Sequence, residues 1–300
     1  MTRRPPQAAL NRRQCLLAGA ALALGAGPSR AQPAFDHGHA AWTALLTKQV
    51  LPLRGGQASQ VRYAGFLADR ATLKAYLDSL SAVSEATFNG FSKPQQMALL
   101  INAYNAFTVE LILTRWPKLA SIKDLGSFIQ SPWKPNWVPL LGGKLSLDDI
   151  EHEMLRQRGR YDDPRLHFAV NCASIGCPAL REEAFAADRL ETQLAEQAQR
   201  FMSDRSRNRY DAQRGKLEVS RIFDWFGEDF RLGHRGITSL TAFLARHADQ
   251  LADAPALERQ LSGQPPPTAA TSRLPAFAAS NPRSEPRIPG SPLTVRCQCR

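Results

Sequence analysis

Apolar residues crowd one stretch of the chain. Met97, Leu99, Leu100, Ile101, Phe107, Val109, Leu111, Ile112 and Leu113 fall on nearly every face of a 3.6-residue repeat. That pattern predicts a helix buried all round. Ser92-Lys93-Pro94-Gln95 marks its start as a capping box with a proline in the first turn, and Trp116-Pro117 marks its end. The neighbouring patterns are amphipathic. Trp42, Leu45, Leu46, Val50 and Leu51 predict a helix stopped by Pro52, and Leu73, Tyr76, Leu77 and Leu80 predict another opened by Asp69. Leu190, Leu194, Ala198, Phe201 and Met202 share one face, as do Leu240, Phe243 and Leu244. Leu166, Phe168 and Val170 alternate with His167, Ala169 and Asn171, which predicts a short buried strand. Further strands are expected at Val61–Phe66 and Leu217–Val219, and a hairpin around Gly142-Gly143. The sum is an α+β domain over residues 35–250. In it a central buried helix packs on a small, mostly antiparallel sheet with surrounding helices.

The two ends read differently. Residues 1–31 carry Asn11-Arg12-Arg13-Gln14-Cys15-Leu16-Leu17, an apolar run from Ala18 to Ala26, and Ser29-Arg30-Ala31 as a small-x-small cleavage site. This resembles a twin-arginine export signal, so the mature chain is expected in the periplasm or secreted, with no stable membrane span. Residues 264–300 turn to Pro, Ala, Ser and Arg without periodicity, the composition of a disordered tail. The net charge of +11 belongs to these ends. Five Arg and no acid lie in 1–31, and five Arg with one Glu lie in 264–300, which leaves +2 for the middle. A folded part so nearly neutral gives no support to nucleic-acid binding.

Candidate chemistry gathers at Arg165–Arg181. The expected strand runs into Asn171-Cys172-Ala173-Ser174-Ile175-Gly176-Cys177-Pro178, turn chemistry that carries polar groups and two thiols. Inside the apolar helix sit Asn102, Tyr104 and Asn105, with the two Asn on one face at i, i+3. Buried amides need partners. We therefore expect Asn102, Asn105, His167 and Asn171 to form one hydrogen-bonded cluster beneath the loop. Glu151 and His152 are adjacent on the next helix and point about 100° apart, a poor mutual pair.

Several of these stretches resemble the DUF547 family, a domain of unknown function. They are Ile101-Asn102-Ala103-Tyr104-Asn105-Ala106, Leu147-Asp148-Asp149-Ile150-Glu151-His152, Asp163-Pro164-Arg165-Leu166-His167-Phe168-Ala169-Val170-Asn171-Cys172, Ser174 to Arg181, and Ile222-Phe223-Asp224-Trp225-Phe226. The resemblance runs from about Phe35 to Ala248 and implies a domain and a site surface rather than an activity. Leu100 stands where members usually carry an aromatic residue, and their closing Tyr-Asp-Trp-Ser-Leu-Asn segment is missing here.

Two function classes follow. One is a binding domain for a small molecule or peptide, with Asn102, Tyr104, Asn105, Glu151, Asn171, Ser174 and Arg181 around a polar strand end and the Trp133–Trp137 loop as a wall. The alternative is a cysteine-dependent hydrolase or acyltransferase of papain- or transglutaminase-like architecture. There Cys172 or Cys177 is the nucleophile and His167 or His152 the base. Against that stands a disulfide between the two cysteines, which an oxidising compartment favours. No ligand quartet with metal spacing appears, and no cofactor is expected.

Overall fold

The computed structural model describes residues 34–119, 122–126, 131–174, 176–211 and 216–252. The expected signal at 1–31 and the tail at 264–300 lie outside the described residues. The architecture is α+β with a buried central helix, as the pattern implies. Its strands form three separate two-stranded antiparallel ladders.

Helix α1 (Ala40–Gln49) leads directly into β1 (Val50–Leu53), which pairs with β2 (Ala58–Val61). The strand expected at Val61–Phe66 therefore ends at its first residue. From Tyr63 the chain is helix α2 (Tyr63–Ala68), because Tyr63 and Phe66, three apart, both reach the core. Helix α3 (Arg70–Ser81) follows at once. Asp69 precedes it but does not cap it; its carboxylate takes Lys48 Nζ at 2.9 Å and Gln49 Nε2 at 2.7 Å. Gly65 is required here, since a Cβ would collide with the Gln49 carboxamide.

After α4 (Glu85–Asn89) comes α5 (Lys93–Leu113), the centre of the fold. The capping box forms as expected: Gln95 N donates to Ser92 Oγ at 3.4 Å, and Ser92 N donates to Gln95 Oε1 at 2.9 Å. Helix α5 ends three residues before Trp116, where the Thr114 hydroxyl donates to Leu111 O at 2.6 Å. It is long and apolar enough to cross a membrane by length and composition, but its surface is buried among protein. The hairpin β3 (Val138–Leu140) and β4 (Gly143–Leu145) forms with Leu141 and Gly142 at its turn, both at positive φ (54° and 80°). That is the turn conformation whose twist suits a two-residue hairpin.

Beyond it come a π-helix at Asp149–Leu155, a 3-10 helix at Pro164–Phe168, and α6 (Leu190–Met202). Strand β5 (Arg209–Asp211) pairs with β6 (Lys216–Glu218). Helices α7 (Ile222–Trp225), α8 (Leu240–Ala245) and α9 (Ala248–Leu251) are the last among the described residues. Two apolar clusters result. One surrounds α5; the other is aromatic, with Phe168 packed among Phe201, Phe223, Phe230 and Phe243.

One buried group makes the fold acid-sensitive. His39, 1% exposed, shares a 2.8 Å hydrogen bond between Nδ1 and the Tyr76 hydroxyl. Burial lowers its pKa to about 4, against the opposing charge of Asp36. The unfolded chain, with a pKa near 6.5, takes up the proton first, so stability is full above that value and is lost as pH falls towards 4. The largest effect is about 3 kcal/mol. We expect His39→Gln to flatten the fall in melting temperature between pH 6.5 and 4 relative to wild type. Parallel slopes in the two proteins would contradict this.

Candidate functional site

The segment expected as a strand is not one. Residues 163–170 are all buried, so the short apolar alternation marks no two-faced ribbon. Pro164 fixes the first turn and the Asp163 carboxylate accepts from Arg165 N at 3.0 Å, which starts a 3-10 helix. Leu166 N donates to Asp163 O, and Ala169 N to Leu166 O. The polar "strand end" is thus the end of a short helix. Arg165 pins the segment: its guanidinium is gripped by Asp163 and by Glu191 of α6, at 2.8 Å each.

The two asparagines of α5 hold main chain. Asn105 Nδ2 donates to Ala169 O at 2.9 Å, and its Oδ1 accepts from Asn171 N at 2.8 Å. Asn102 does the same for a different segment: Nδ2 donates to Phe185 O at 2.7 Å, and Phe185 N donates to Oδ1 at 3.0 Å. The expected cluster therefore exists only as the Asn105–Asn171 contact. Asn102 faces Phe185, and His167 faces the aromatic cluster instead. Tyr104 is buried in the core beside the two asparagines.

His167, 2% exposed, sits in a chain of charged groups. Its Nε2 lies 2.7 Å from Asp229 Oδ2. Arg156 donates to both oxygens of Asp229, from Nε at 2.6 Å and Nη2 at 3.2 Å. The same guanidinium lies 2.9 Å from His152 Nδ1. Since arginine only donates, His152 Nδ1 is an acceptor. The ring of Phe226 stacks on His167 at 4.1 Å, and the Arg156 guanidinium carbon lies 4.7 Å from the same ring. Burial pushes the Asp229 carboxyl up, but the hydrogen bonds from His167 and Arg156 outweigh it and hold it well below the usual carboxylate range. Burial lowers His167, opposed by its bond to Asp229 and by the charges of Glu151 and Asp229. The imidazole is thus neutral at neutral pH, with its proton on Nε2 facing the carboxylate. Its other nitrogen, Nδ1, is buried with no hydrogen-bond partner. Half-buried Glu151 and His152 lie on the π-helix; the Glu151 charge acts on His167, and the His152 ring lies 6.1 Å from that of Phe226.

The loop is tied at its neck. Asn171 Nδ2 donates to Pro178 O at 2.6 Å, and its Oδ1 accepts from Ala173 N at 2.9 Å. The second bond is an Asx turn that accommodates Ala173 at φ 54°. Cys172 and Cys177 are paired as a disulfide, with Cα atoms 6.1 Å apart. Ser174 is buried; its carbonyl accepts from Cys177 N. Arg207 Nη1 donates to Gly176 O at 3.1 Å and Cys177 O at 3.0 Å. Arg181 is engaged from Nη2 by Glu183 at 2.7 Å and Glu196 at 2.6 Å. In the Trp133–Trp137 loop, Trp133 O accepts from Asp148 N, and Trp137 packs edge-on against Phe107.

Asp229 and Arg156 are the partners that sequence reasoning missed. Asp229 lies 62 positions beyond His167, and no spacing links them. The Ile222–Phe226 motif was the available signal, because Phe226 is the ring that covers His167.

Residues 88–202 match the family described as a protein of unknown function, DUF547. Over that stretch the chain is similar to DUF547. No curated protein and no solved structure matches the chain. The matched stretch holds α5, the π-helix, the 3-10 helix, the disulfide loop and α6, whose last residue is Met202. It therefore contains Asn102, Asn105, Glu151, His152, His167 and both cysteines. Asp229 and Phe226 lie outside it and contact His167 from the remainder of the chain.

The disulfide closes a ring of only a few residues, so its effect on the unfolded chain is modest, about 2 kcal/mol. Cys172→Ser is expected to lower stability by that amount in urea unfolding while Asn171 and Arg207 keep the loop in place. A loss several times larger would mean that the loop depends on the sulfur bridge alone.

Proposed function

We propose that this DUF547 protein is an exported binding domain for a small polar molecule or peptide, held where Glu151, His152 and His167 converge beside Phe226. The observation that carries the reading is the Nδ1 of His167. Most polar groups around it have partners, yet this buried nitrogen has none, and a buried acceptor left unmade costs about 1–3 kcal/mol. The Asp229–Arg156 clamp fixes the tautomer, so the vacancy is an acceptor and suits a ligand hydroxyl or N–H. Glu151 adds a negative charge beside it, which favours a donor-rich or cationic ligand group over an anion. Export rests on the Arg12-Arg13 signal and its small-x-small end. The cysteine-hydrolase reading loses support, because the two sulfurs are joined and no thiolate is available while they remain so.

The test is a melting-temperature screen of dipeptides, amino acids and hexoses against matched simple carboxylates. A ligand at a hundredfold excess over its Kd stabilises by about 2.7 kcal/mol, a rise of a few degrees. The expected result is a rise from a donor-bearing class only. His167→Gln keeps an N–H for Asp229 but has no acceptor at the Nδ1 position, and it should abolish the rise. A rise that survives in that variant would move the site elsewhere. Ester turnover that switches on only with dithiothreitol would restore the thiol hydrolase.

A further inference from the structure

The ring between Cys172 and Cys177 joins two points of one loop and links no two elements of the fold. The tasks a structural bridge would perform are already done by hydrogen bonds. Asn171 ties the neck through Pro178 O and Ala173 N, Asn105 fixes Asn171 N to the central helix, and Arg207 holds the carbonyls of Gly176 and Cys177. A loop so anchored keeps its shape with the sulfur bridge open. The two sulfurs also differ. Cys172 is half-buried, while Cys177 is 8% exposed and has the Arg207 guanidinium against its carbonyl. Arg207 pairs with Asp204 at 2.7 Å, and that carboxylate is shared with Arg54 at 3.5 Å.

We propose that Cys172–Cys177 is a redox-active pair that exchanges with an external dithiol, with Cys172 as the sulfur attacked. A thiolate of the dithiol bonds to Cys172 Sγ, and the Cys172–Cys177 bond breaks. Cys177 leaves as a thiolate whose charge is stabilised by Arg207, and a better-stabilised leaving group departs faster. The second thiol of the dithiol then attacks the mixed disulfide and releases Cys172. The dithiol ends as a disulfide, both its protons end on Cys172 and Cys177, and two electrons pass to this chain. The five-residue separation distinguishes the pair from the Cys-x-x-Cys arrangement. This inference does not depend on the ligand-binding reading, since none of its atoms belongs to the His167 site.

The experiment reduces the full-length protein with dithiothreitol under native conditions and follows alkylation of Cys172 and Cys177 by peptide mass. Full reduction is expected with the native circular dichroism retained. Cys177→Ser incubated with glutathione disulfide should accumulate the mixed disulfide at Cys172 at least tenfold faster than Cys172→Ser does at Cys177. Arg207→Gln should slow reduction several-fold, and Arg207→Lys should restore most of the rate. The proposal is overturned if reduction proceeds only as fast as global unfolding, measured by its rise with urea, since that is how an inert structural bridge behaves. Equal mixed-disulfide rates in the two cysteine variants would also overturn it.

Discussion

The rest of the domain hangs on two amide side chains inside one helix. Asn102 and Asn105 present a donor and an acceptor each, and each offers both to the main chain of a distant segment: Phe185 in one case, Ala169 and Asn171 in the other. A main-chain N–H and C=O taken out of water must be paired. Neither segment forms a strand or helix at those residues, so the asparagines supply what a ladder would otherwise supply. Two non-repetitive segments can thereby lie in the core, on a helix whose buried surface is mostly apolar. Removing either amide leaves two main-chain groups unpaired, and each such group costs about 1–3 kcal/mol.

Where the chain speaks through local rules, the sequence was sufficient. The capping box at Ser92–Gln95 and the apolar run of α5 are each decided within a few residues and appear as expected, and the β3–β4 hairpin forms with its turn one residue earlier than Gly142-Gly143, at Leu141–Gly142. The 166–170 segment shows where such rules stop. Five apolar-alternating positions fit a strand, but burial on all sides removes the two faces from which period-two reasoning draws its force. There Asp163-Pro164 decides the conformation, and its message is a turn. The partnership of His167 with Asp229 was illegible for a different reason: tertiary pairing of two charged groups leaves no periodic trace.

Charge placement in the site has an internal logic. Arg156 serves three groups at once, both oxygens of Asp229 and His152 Nδ1, while its carbon face lies near Phe226. Asp229 remains an anion despite partial burial because two donors converge on it. That anion in turn dictates which nitrogen of His167 holds the proton. A single carboxylate therefore fixes the ring's tautomer from outside the stretch that matches the DUF547 model.

The same segment carries both His167 and the disulfide loop. His167 lies on the 3-10 helix, facing the aromatic cluster, whereas the Cys172–Cys177 loop begins four residues after the Phe168 that ends it. Between them stand Ala169 and Asn171, and these are the residues whose main chain Asn105 holds. A change of oxidation state in the loop must pass this clamp before it can move the imidazole. Asn171 meets the change first, and its side chain is bonded within the loop while its N–H is bonded to α5. Asn105 therefore ties the central helix to both sides of the junction, its amide donating to Ala169 O and accepting from Asn171 N.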